Sequence, residues 1–201
     1  YKNGLFYGVS PEQFKADVEA AGMEVVSSHT NRKLTAEELA SGDLTEALAW
    51  WDAAIPAHVA AGMRYVVCPS MNIPETLEGL KVYCDYFNEI GRKCTEAGMK
   101  FGFHNHSREF KKVEDQVVID YMLQKTDPEL VFFQMDVYWT TKGGKNPVDY
   151  LKKYPTRIQM LHIKDDLVIG DSGKIDFEAI FNQFYANGYT DFVVEQEMPR
   201  G

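Results

Sequence analysis

Six short runs of β-branched and aromatic residues constrain the fold of this 201-residue chain more than any other feature. They cover residues 24–29, 64–69, 100–106, 130–136, 158–164 and 192–197, and longer segments with helical periodicity separate them. Strands that alternate with helices over short connections form parallel sheets covered by helices. The pattern therefore predicts one α/β domain built on a parallel sheet.

Helix boundary signals support this division of the chain. Ser10-Pro11, Asn146-Pro147 and Asp176 are typical of helix starts, where a polar cap precedes the first turn. Four glycines follow helical patterns, precede predicted strands and suit a left-handed helix end: Gly22, Gly62, Gly98 and Gly188.

Two architectures fit this alternation, a doubly wound open sheet and a (β/α) barrel. The chain contains no G-x-G-x-x-G or G-x-x-x-x-G-K-[ST] turn, which would favour the open sheet. Five of the six runs end in two polar residues on one strand face. In a barrel these pairs converge on the C-terminal rim, so the barrel is favoured. The pairs are Ser27 and His29, His104 and His106, Gln134 and Asp136, His162 and Lys164, and Glu195 and Glu197.

The residue types at this rim favour a divalent metal with nitrogen and oxygen ligands, since imidazoles and carboxylates occur without thiolates. We expect one ligand from each of four strands, at a spacing of roughly thirty residues per strand–helix unit. The expected ion is manganese, cobalt or zinc, with nickel, iron and magnesium as alternatives. Singly, His162 could be a hydrogen-bonded core residue and Asp136 a loop cap. The expected ligands are His104, Asp136, His162 and Glu195.

Charge and composition exclude other classes. The net charge of −9 argues against nucleic acid or an anionic membrane as the main partner. No apolar run is long enough to span a bilayer, and Cys68, Cys84 and Cys94 are expected to be buried free thiols. We expect a cytoplasmic protein; a periplasmic or secreted one is the alternative if a longer precursor carried a signal.

Several segments resemble the sugar phosphate isomerase/epimerase-like group of the xylose isomerase-like TIM barrels. These segments are FGFHNHSREF, FQMDVYW, QMLHIKD followed by GKIDF, and FVVEQE. The resemblance implies a (β/α)8 TIM barrel, of which six strands are counted. We therefore expect residues 1–201 to be a single truncated barrel domain that lacks the first two strands and the last helix.

The resemblance also implies a ligand set of Glu, Asp, His and Glu in chain order. Asp136, His162 and Glu195 match the last three positions. His104 stands where the first glutamate is usual, with His106 and Glu109 as alternatives for that ligand. This departure weakens the expectation of an epimerase in which two metal-bound glutamates act from opposite faces of the substrate.

The expected reaction is metal-assisted proton abstraction next to a carbonyl of a sugar or keto-sugar, through an enediolate. Glu195 is the expected base, His106 or Glu109 returns the proton, and Lys164 binds an oxyanion or pairs with Asp165 or Glu197. His29, Trp139, Lys164 and Glu197 are expected substrate contacts.

Isomerisation or epimerisation is the first outcome considered, and elimination from an inosose or a 3-keto-sugar is the second. A metal-free sugar-binding or scaffold barrel is the alternative of a different class. A metal-dependent DNA endonuclease is disfavoured by the charge and by only five histidines. The expected partner is a small carbohydrate, and the sequence leaves the oligomeric state undetermined.

Overall fold

A computed structural model gives the structure of residues 1–197. Its main sheet has six parallel strands, which confirms the predicted α/β barrel architecture. The strands are β1 (Ser27–His29), β2 (Tyr65–Cys68), β3 (Lys100–His104), β6 (Val131–Asp136), β7 (Ile158–Ile163) and β8 (Phe192–Val194), and they lie in this order across the sheet. A separate antiparallel pair, β4 (Lys112–Val113) and β5 (Gln116–Val117), follows β3.

Eight helices connect and cover these strands. They are α1 (Pro11–Ala20), α2 (Ala36–Ser41), α3 (Thr45–Ala60), α4 (Leu77–Glu96), α5 (Val118–Lys125), α6 (Val137–Lys142), α7 (Pro147–Lys153) and α8 (Phe177–Ala186) among residues 1–197. The predicted starts of α1, α7 and α8 are confirmed: the side chains of Ser10, Asn146 and Asp176 each accept a backbone N–H of the first turn. The four predicted glycines all have positive φ, between 75° and 92°.

All six strands are shorter than predicted, and β1, β3 and β8 each lose two or three residues at one end. β8 stops at Val194 because its neighbour β7 stops at Ile163, although the Glu195 N–H still donates to the Ile163 carbonyl at 2.9 Å. β1 begins at Ser27 rather than at residue 24. β3 ends at His104, and His106 instead precedes a 3-10 turn, Ser107–Phe110. Glu195, Glu197 and His106 are therefore on loops just beyond their strands.

The sheet is strongly curled. Three strands lie between β1 and β7, so a flat sheet would hold these two strands roughly 19 Å apart. The ring centroids of His29 on β1 and His162 on β7 are only 5.9 Å apart. A hydrogen bond from the Tyr65 hydroxyl to Asp191 also joins β2 to the segment before β8. The curl brings the concave faces of distant strands together, as in a barrel.

The concave side has an apolar floor. Val67, Phe132 and Met160 form a small buried cluster, with Tyr65 and Val193 packed against it. Gly102 leaves room for the Phe132 ring, since a Cβ atom there would lie 2.5 Å from the ring tip. The larger core lies between the convex face and the helices and contains the buried thiols of Cys68, Cys84 and Cys94, which confirms that prediction.

Alternation along each strand then fixes what lies above the floor. On β6, Phe132 belongs to the floor, Gln134 is two residues further, and Asp136 ends the strand. Met160 and His162 follow the same rule on β7, and Gly102 and His104 follow it on β3. A polar layer therefore covers the floor at the C-terminal end of the sheet.

In residues 1–197, no helix is both long and apolar enough to cross a membrane.

Candidate metal and active site

Four histidine rings form the centre of the polar layer. The His104 ring centroid lies 4.8 Å from that of His29, 4.7 Å from His162 and 4.9 Å from His106. His104 and His162 are almost fully buried, whereas His29 is exposed at the edge of the sheet. The predicted pair His104 and His106 therefore shares one site with histidines from two other strands.

Three polar atoms in this layer are buried and make no hydrogen bond to any described residue. They are Asp136 Oδ2, His162 Nδ1 and His106 Nδ1. Asp136 Oδ2 lies 3.0 Å from His162 Nδ1 and 3.9 Å from His104 Nε2. Burying an unpaired carboxylate oxygen costs free energy unless a cation or a proton compensates its charge. The arrangement is therefore incomplete by itself.

The donor set fits a divalent cation. Two ligand atoms that bind one ion at about 2.1 Å lie roughly 3.0–3.4 Å from each other, depending on coordination number. The 3.0 Å separation of Asp136 Oδ2 and His162 Nδ1 meets this requirement, and the His104 Nε2 atom is close behind. Two imidazoles and a carboxylate suit zinc, manganese, cobalt or iron. His29, His104 and His162 also offer ligand atoms within 4.8 Å of one another.

Glu195 contacts the opposite edge of the His162 ring. Its Oε2 atom lies 3.3 Å from His162 Nε2, whereas Asp136 faces Nδ1. Its Oε1 atom accepts a hydrogen bond from Lys164 Nζ at 2.7 Å, and Glu197 accepts from the same ammonium at 2.5 Å. The structure thus separates Glu195 from the Asp136 side of the ring, whereas the sequence predicted both as ligands of one ion.

Lys164 determines the charge state of this edge. Partial burial by itself would raise the pKa of Glu195, but the hydrogen bond and positive charge of Lys164 outweigh it and lower that pKa. Burial opposes the charge of Lys164, yet its hydrogen bonds to Glu195 and Glu197 raise its pKa. At neutral pH the side chain of Glu195 is therefore a carboxylate beside a fixed ammonium.

His104 and His106 are held neutral. Burial, and then the neighbouring imidazoles of His29, His162 and His106, lower the pKa of His104 to about 2. Burial also lowers the pKa of His106. A neutral imidazole keeps one nitrogen lone pair, which metal binding requires.

Asn105 and Thr140 position Asp136 from behind. The Asp136 N–H donates to Asn105 Oδ1 at 3.1 Å, and Asn105 Nδ2 donates to the Thr140 hydroxyl at 3.2 Å. That hydroxyl donates to the Asp136 carbonyl at 2.6 Å. Asp136 Oδ1 accepts the N–H of Trp139 at 2.7 Å, which is the capping role considered as the alternative, so only Oδ2 faces the histidines. Sequence analysis did not assign Asn105, although it lies between the two histidines of the HNH segment.

Glu109 supports the loop that carries His106. Its carboxylate is fully buried and accepts the His106 N–H at 2.8 Å and Arg108 Nε at 3.0 Å. Because both oxygens are engaged, the structure does not bring Glu109 into the cluster of unpaired atoms. Trp139, a predicted substrate contact, does lie at the site, with its ring centroid 5.5 Å from that of His106.

Gln134 is a second site residue whose role sequence analysis missed. Its alternation with Asp136 was noted, but a contact to two histidines on other strands was not expected. Gln134 Oε1 lies 2.9 Å from His29 Nε2 and 3.0 Å from His104 Nδ1. Its position between Phe133 and Met135 in a buried strand was the available signal, because a buried amide requires hydrogen-bond partners.

Comparison with known proteins agrees with this geometry. The family model described as xylose isomerase-like TIM barrel matches residues 5–201. The chain belongs to the xylose isomerase-like TIM barrel family. The resemblance seen in the sequence is thereby confirmed, and the six parallel strands with their covering helices agree with this fold.

Individual relatives point to sugar-acting enzymes. A solved sugar phosphate isomerase/epimerase from Parabacteroides distasonis superposes with a TM-score of 0.90 at 36% identity, over all of this chain and 79% of that one. Inosose dehydratase from Clostridium beijerinckii is 28% identical over 140 residues, or 58% of this chain and 46% of that protein. This chain thus spans about half the length of the curated relatives it matches. A solved structure of the IolI protein with a zinc atom shares the fold, with a TM-score of 0.68 at 17% identity.

Proposed function

We propose that this protein is a metal-dependent isomerase or epimerase that removes a proton next to the carbonyl of a sugar or keto-sugar. The observation that carries the proposal is the pair of buried, unpaired atoms Asp136 Oδ2 and His162 Nδ1, which lie 3.0 Å apart beside a carboxylate held by Lys164. A cation site and a base thus occupy neighbouring positions.

His104, Asp136 and His162 are the residues that would hold the cation, with His29 as a further donor at the edge of the same cluster. A divalent ion, for which we propose manganese, cobalt or zinc and magnesium as the alternative, supplies Lewis acidity that polarises a carbonyl and stabilises negative charge on oxygen. The buried apolar floor below these residues limits access of water from that side.

Glu195 is the proposed base. Its pKa is lowered, so it is deprotonated at neutral pH, and it is half-exposed, so a substrate can reach it. When Glu195 takes the substrate proton, its negative charge moves to the substrate as an enediolate. Lys164 stays in place between Glu195 and Glu197 and stabilises the transferred charge.

His106 is the proposed group that relays the proton: its neutral ring first takes up a proton from Glu195 or from solvent and then returns it to the substrate. Its Nδ1 atom is buried without a hydrogen bond to any residue in 1–197, while the Glu109 carboxylate holds its backbone N–H. We assign Glu109 to this support rather than to proton transfer. Trp139 beside His106, His29 at the sheet edge and Glu197 on Lys164 are the proposed substrate contacts.

Dehydration is a second candidate reaction, because the curated relatives are named inosose dehydratase. Its first step is the same proton abstraction, and the hydroxyl group on the neighbouring carbon then leaves as water with the proton that Glu195 accepted. An inosose or a 3-keto-sugar would be the substrate. The two reactions differ in whether a leaving group departs or the proton returns.

The test is exchange of the substrate α-hydrogen in D2O. The full-length protein, supplied with manganese, cobalt or zinc, is incubated with a ketose, an inosose and a 3-keto-glucoside, and products are followed by NMR. Isomerisation or epimerisation is expected to place deuterium next to the carbonyl of the product, whereas elimination removes the α-hydrogen without replacing it. A new stereoisomer or an aldose supports the first reaction, and an unsaturated ketone supports the second.

The Glu195→Gln variant removes the proposed base and leaves the proposed metal ligands in place. The variant is expected to lose at least about 100-fold in exchange rate while it retains bound metal. Glu129→Gln, an exposed carboxylate before the start of β6, is the matched control. Unchanged exchange in Glu195→Gln contradicts the proposed base, and sugar binding without exchange by the metal-loaded protein contradicts catalysis and favours a binding barrel.

A further inference from the structure

Gln134 occupies the middle of the polar layer. It is 1% exposed and lies between the apolar floor residue Phe132 and the candidate ligand Asp136 on β6. An apolar side chain of similar size would fill the same volume without the cost of burying an amide. The buried amide of Gln134 therefore needs a role beyond packing.

The carbonyl oxygen of Gln134 contacts two histidines at once. Oε1 lies 2.9 Å from His29 Nε2 and 3.0 Å from His104 Nδ1. The amide nitrogen is directed elsewhere, to the sulfur of Met160 at 2.9 Å. A carbonyl oxygen accepts hydrogen bonds and cannot donate them, so both contacting ring nitrogens carry a hydrogen.

This assignment fixes the other nitrogen of each ring. An imidazole binds a metal in its neutral form, with a hydrogen on one ring nitrogen only. A neutral imidazole with a hydrogen on one nitrogen has a lone pair on the other. His29 therefore presents a bare Nδ1 and His104 a bare Nε2, and His104 Nε2 is the atom 3.9 Å from Asp136 Oδ2.

We propose that Gln134 is a positioning residue that sets the tautomers of His29 and His104 through its one carbonyl oxygen, and so prepares both rings to bind a divalent cation. The proposal rests on the proposed function, because it assigns the same histidines to the metal. Hydrogen-bond partners of ligating histidines orient the ring and raise its basicity, and their loss typically lowers metal affinity about 10–100-fold.

The tautomers can be observed without metal. In the metal-free, histidine-labelled protein, long-range 1H–15N correlation spectra distinguish Nδ1–H from Nε2–H rings. We expect Nε2–H for His29 and Nδ1–H for His104, the form that free histidine populates less. His58 provides an internal reference, because its Nδ1 lies 2.7 Å from the Ala54 carbonyl and its Nε2 accepts the Thr30 hydroxyl, far from Gln134 along the chain.

Two variants separate the acceptor from the packing. Gln134→Met keeps the shape and removes the acceptor, so the His104 signal should move towards the Nε2–H form while His58 is unchanged. Gln134→Glu keeps an acceptor oxygen and should retain the Nδ1–H form. Gln159→Met, a change of the same kind on β7 at a partly exposed position, is the matched control and should leave the spectra of His29 and His104 unaltered.

Metal affinity is the second measurement. Titration with Co²⁺ or Zn²⁺ against a competing chelator should show at least about tenfold weaker binding by Gln134→Met, and a smaller change for Gln134→Glu. An Nε2–H form of His104 in the unaltered protein overturns the proposal even if a variant fails to fold. Unchanged affinity in a folded Gln134→Met also overturns it.

The proposed function and the proposed role of Gln134 can fail independently of each other. If the unaltered protein binds no divalent metal, the proposed function fails, while the spectra still decide whether Gln134 sets the tautomers. If the protein binds metal but His104 has the other tautomer, the proposed function stands and the role of Gln134 does not.

Discussion

Asp136 divides two tasks between its two carboxylate oxygens. Oδ1 accepts the Trp139 N–H at the start of α6, and Oδ2 faces His162 and His104 without a hydrogen bond to any residue in 1–197. The first task needs only an acceptor, whereas the second needs negative charge. A substitution that keeps the acceptor and removes the charge therefore separates them.

Asp136→Asn is expected to weaken Co²⁺ or Mn²⁺ binding by more than about 100-fold, because a direct ligand should matter at least as much as its hydrogen-bond partners. The free energy of unfolding of the metal-free protein should stay the same or rise, since an unpaired buried charge is removed. Isothermal titration and urea unfolding measure the two effects. Asp149→Asn, on the exposed side of α7, is the control, and equal affinities of the two variants would refute the role of Asp136.

Single residues of this site were partly predictable from sequence. Strand alternation placed His104, Asp136 and His162 on one face, and the structure brings them together. It could not show that Gln134 contacts His29 and His104, because that contact depends on the curl that joins β1, β3 and β6. Strand alternation also could not show that both carboxylate oxygens of Glu109 accept hydrogen bonds from its own loop.

At the level of elements, the packing of β3 against β6 depends on the absence of a side chain at Gly102. Gly102 on β3 faces the Phe132 ring on β6, and a Cβ atom there would lie 2.5 Å from the ring tip. The ring is part of the buried floor and has little freedom to move. The sequence FGFH could equally have placed this glycine at a bulge, so only the structure explains it.

Gly102→Ala is expected to lower the free energy of unfolding by about 1–3 kcal/mol through overpacking. Phe132→Leu replaces the opposing ring with a shorter side chain. The double variant should therefore lose less free energy of unfolding than the sum of the two single losses. Urea unfolding of the four proteins gives the coupling. Additive effects would show that the close approach of these two strands does not limit stability.

The start of α2 contains an ion pair that makes stability depend on pH. Glu38 accepts two hydrogen bonds from Arg32 at 2.6 Å and one from the Thr35 N–H at 2.7 Å. The Arg32 hydrogen bonds outweigh burial and lower the pKa of Glu38. A lowered pKa in the folded state stabilises the protein above the unfolded value of about 4.3, and this contribution is lost as pH falls through the folded value.

Glu38→Gln should therefore lower the free energy of unfolding by about 1.5–3 kcal/mol at pH 7. The difference from the unaltered protein should shrink as pH falls from 5 towards 3. Unfolding by urea at several pH values measures it, and Glu37→Gln, exposed on the same helix, should show no such trend. A difference that stays constant across this range would rule out the ion pair as its source.

At the scale of the whole molecule, one hydrogen bond ties distant parts of the curled sheet. The Tyr65 hydroxyl on β2 donates to Asp191, which precedes β8, and these strands are four positions apart in the sheet order. Burial, and then this hydrogen bond, raise the pKa of Tyr65 to about 12. The contact lies at the end of the sheet opposite the histidines, so it contributes to shape rather than to chemistry.

Tyr65→Phe is expected to lower the free energy of unfolding by about 1.5–3 kcal/mol, as for hydrogen bonds to a charged group. Adding Asp191→Asn should cost little more, because both substitutions remove the same contact. Urea unfolding measures both, and the exposed Tyr185→Phe is the control. A double variant whose loss equals the sum of the single losses would mean that the two residues act independently.

The overall architecture was the most predictable level. The alternation of strand and helix signals predicted the parallel sheet, and polar caps and glycines marked the helix ends. These signals are local properties of the chain, so sequence alone reveals them. Strand ends were less predictable, since β8 stops where its neighbour β7 stops. That residues 1–201 form one truncated barrel domain stays a prediction. The two sheet edges, β1 and β8, are where further strands of a closed barrel would pair.

The metal content of the full-length protein tests the central claim most directly. Purified protein and its His162→Ala variant are supplied with manganese or cobalt, freed of excess ion and measured by elemental analysis. The proposed site predicts about one divalent ion per chain in the unaltered protein and a large loss in the variant, because His162 joins the Asp136 side of the cluster to the Glu195 side. If neither protein holds a stoichiometric divalent ion, the proposed metal site and the reaction built on it are wrong.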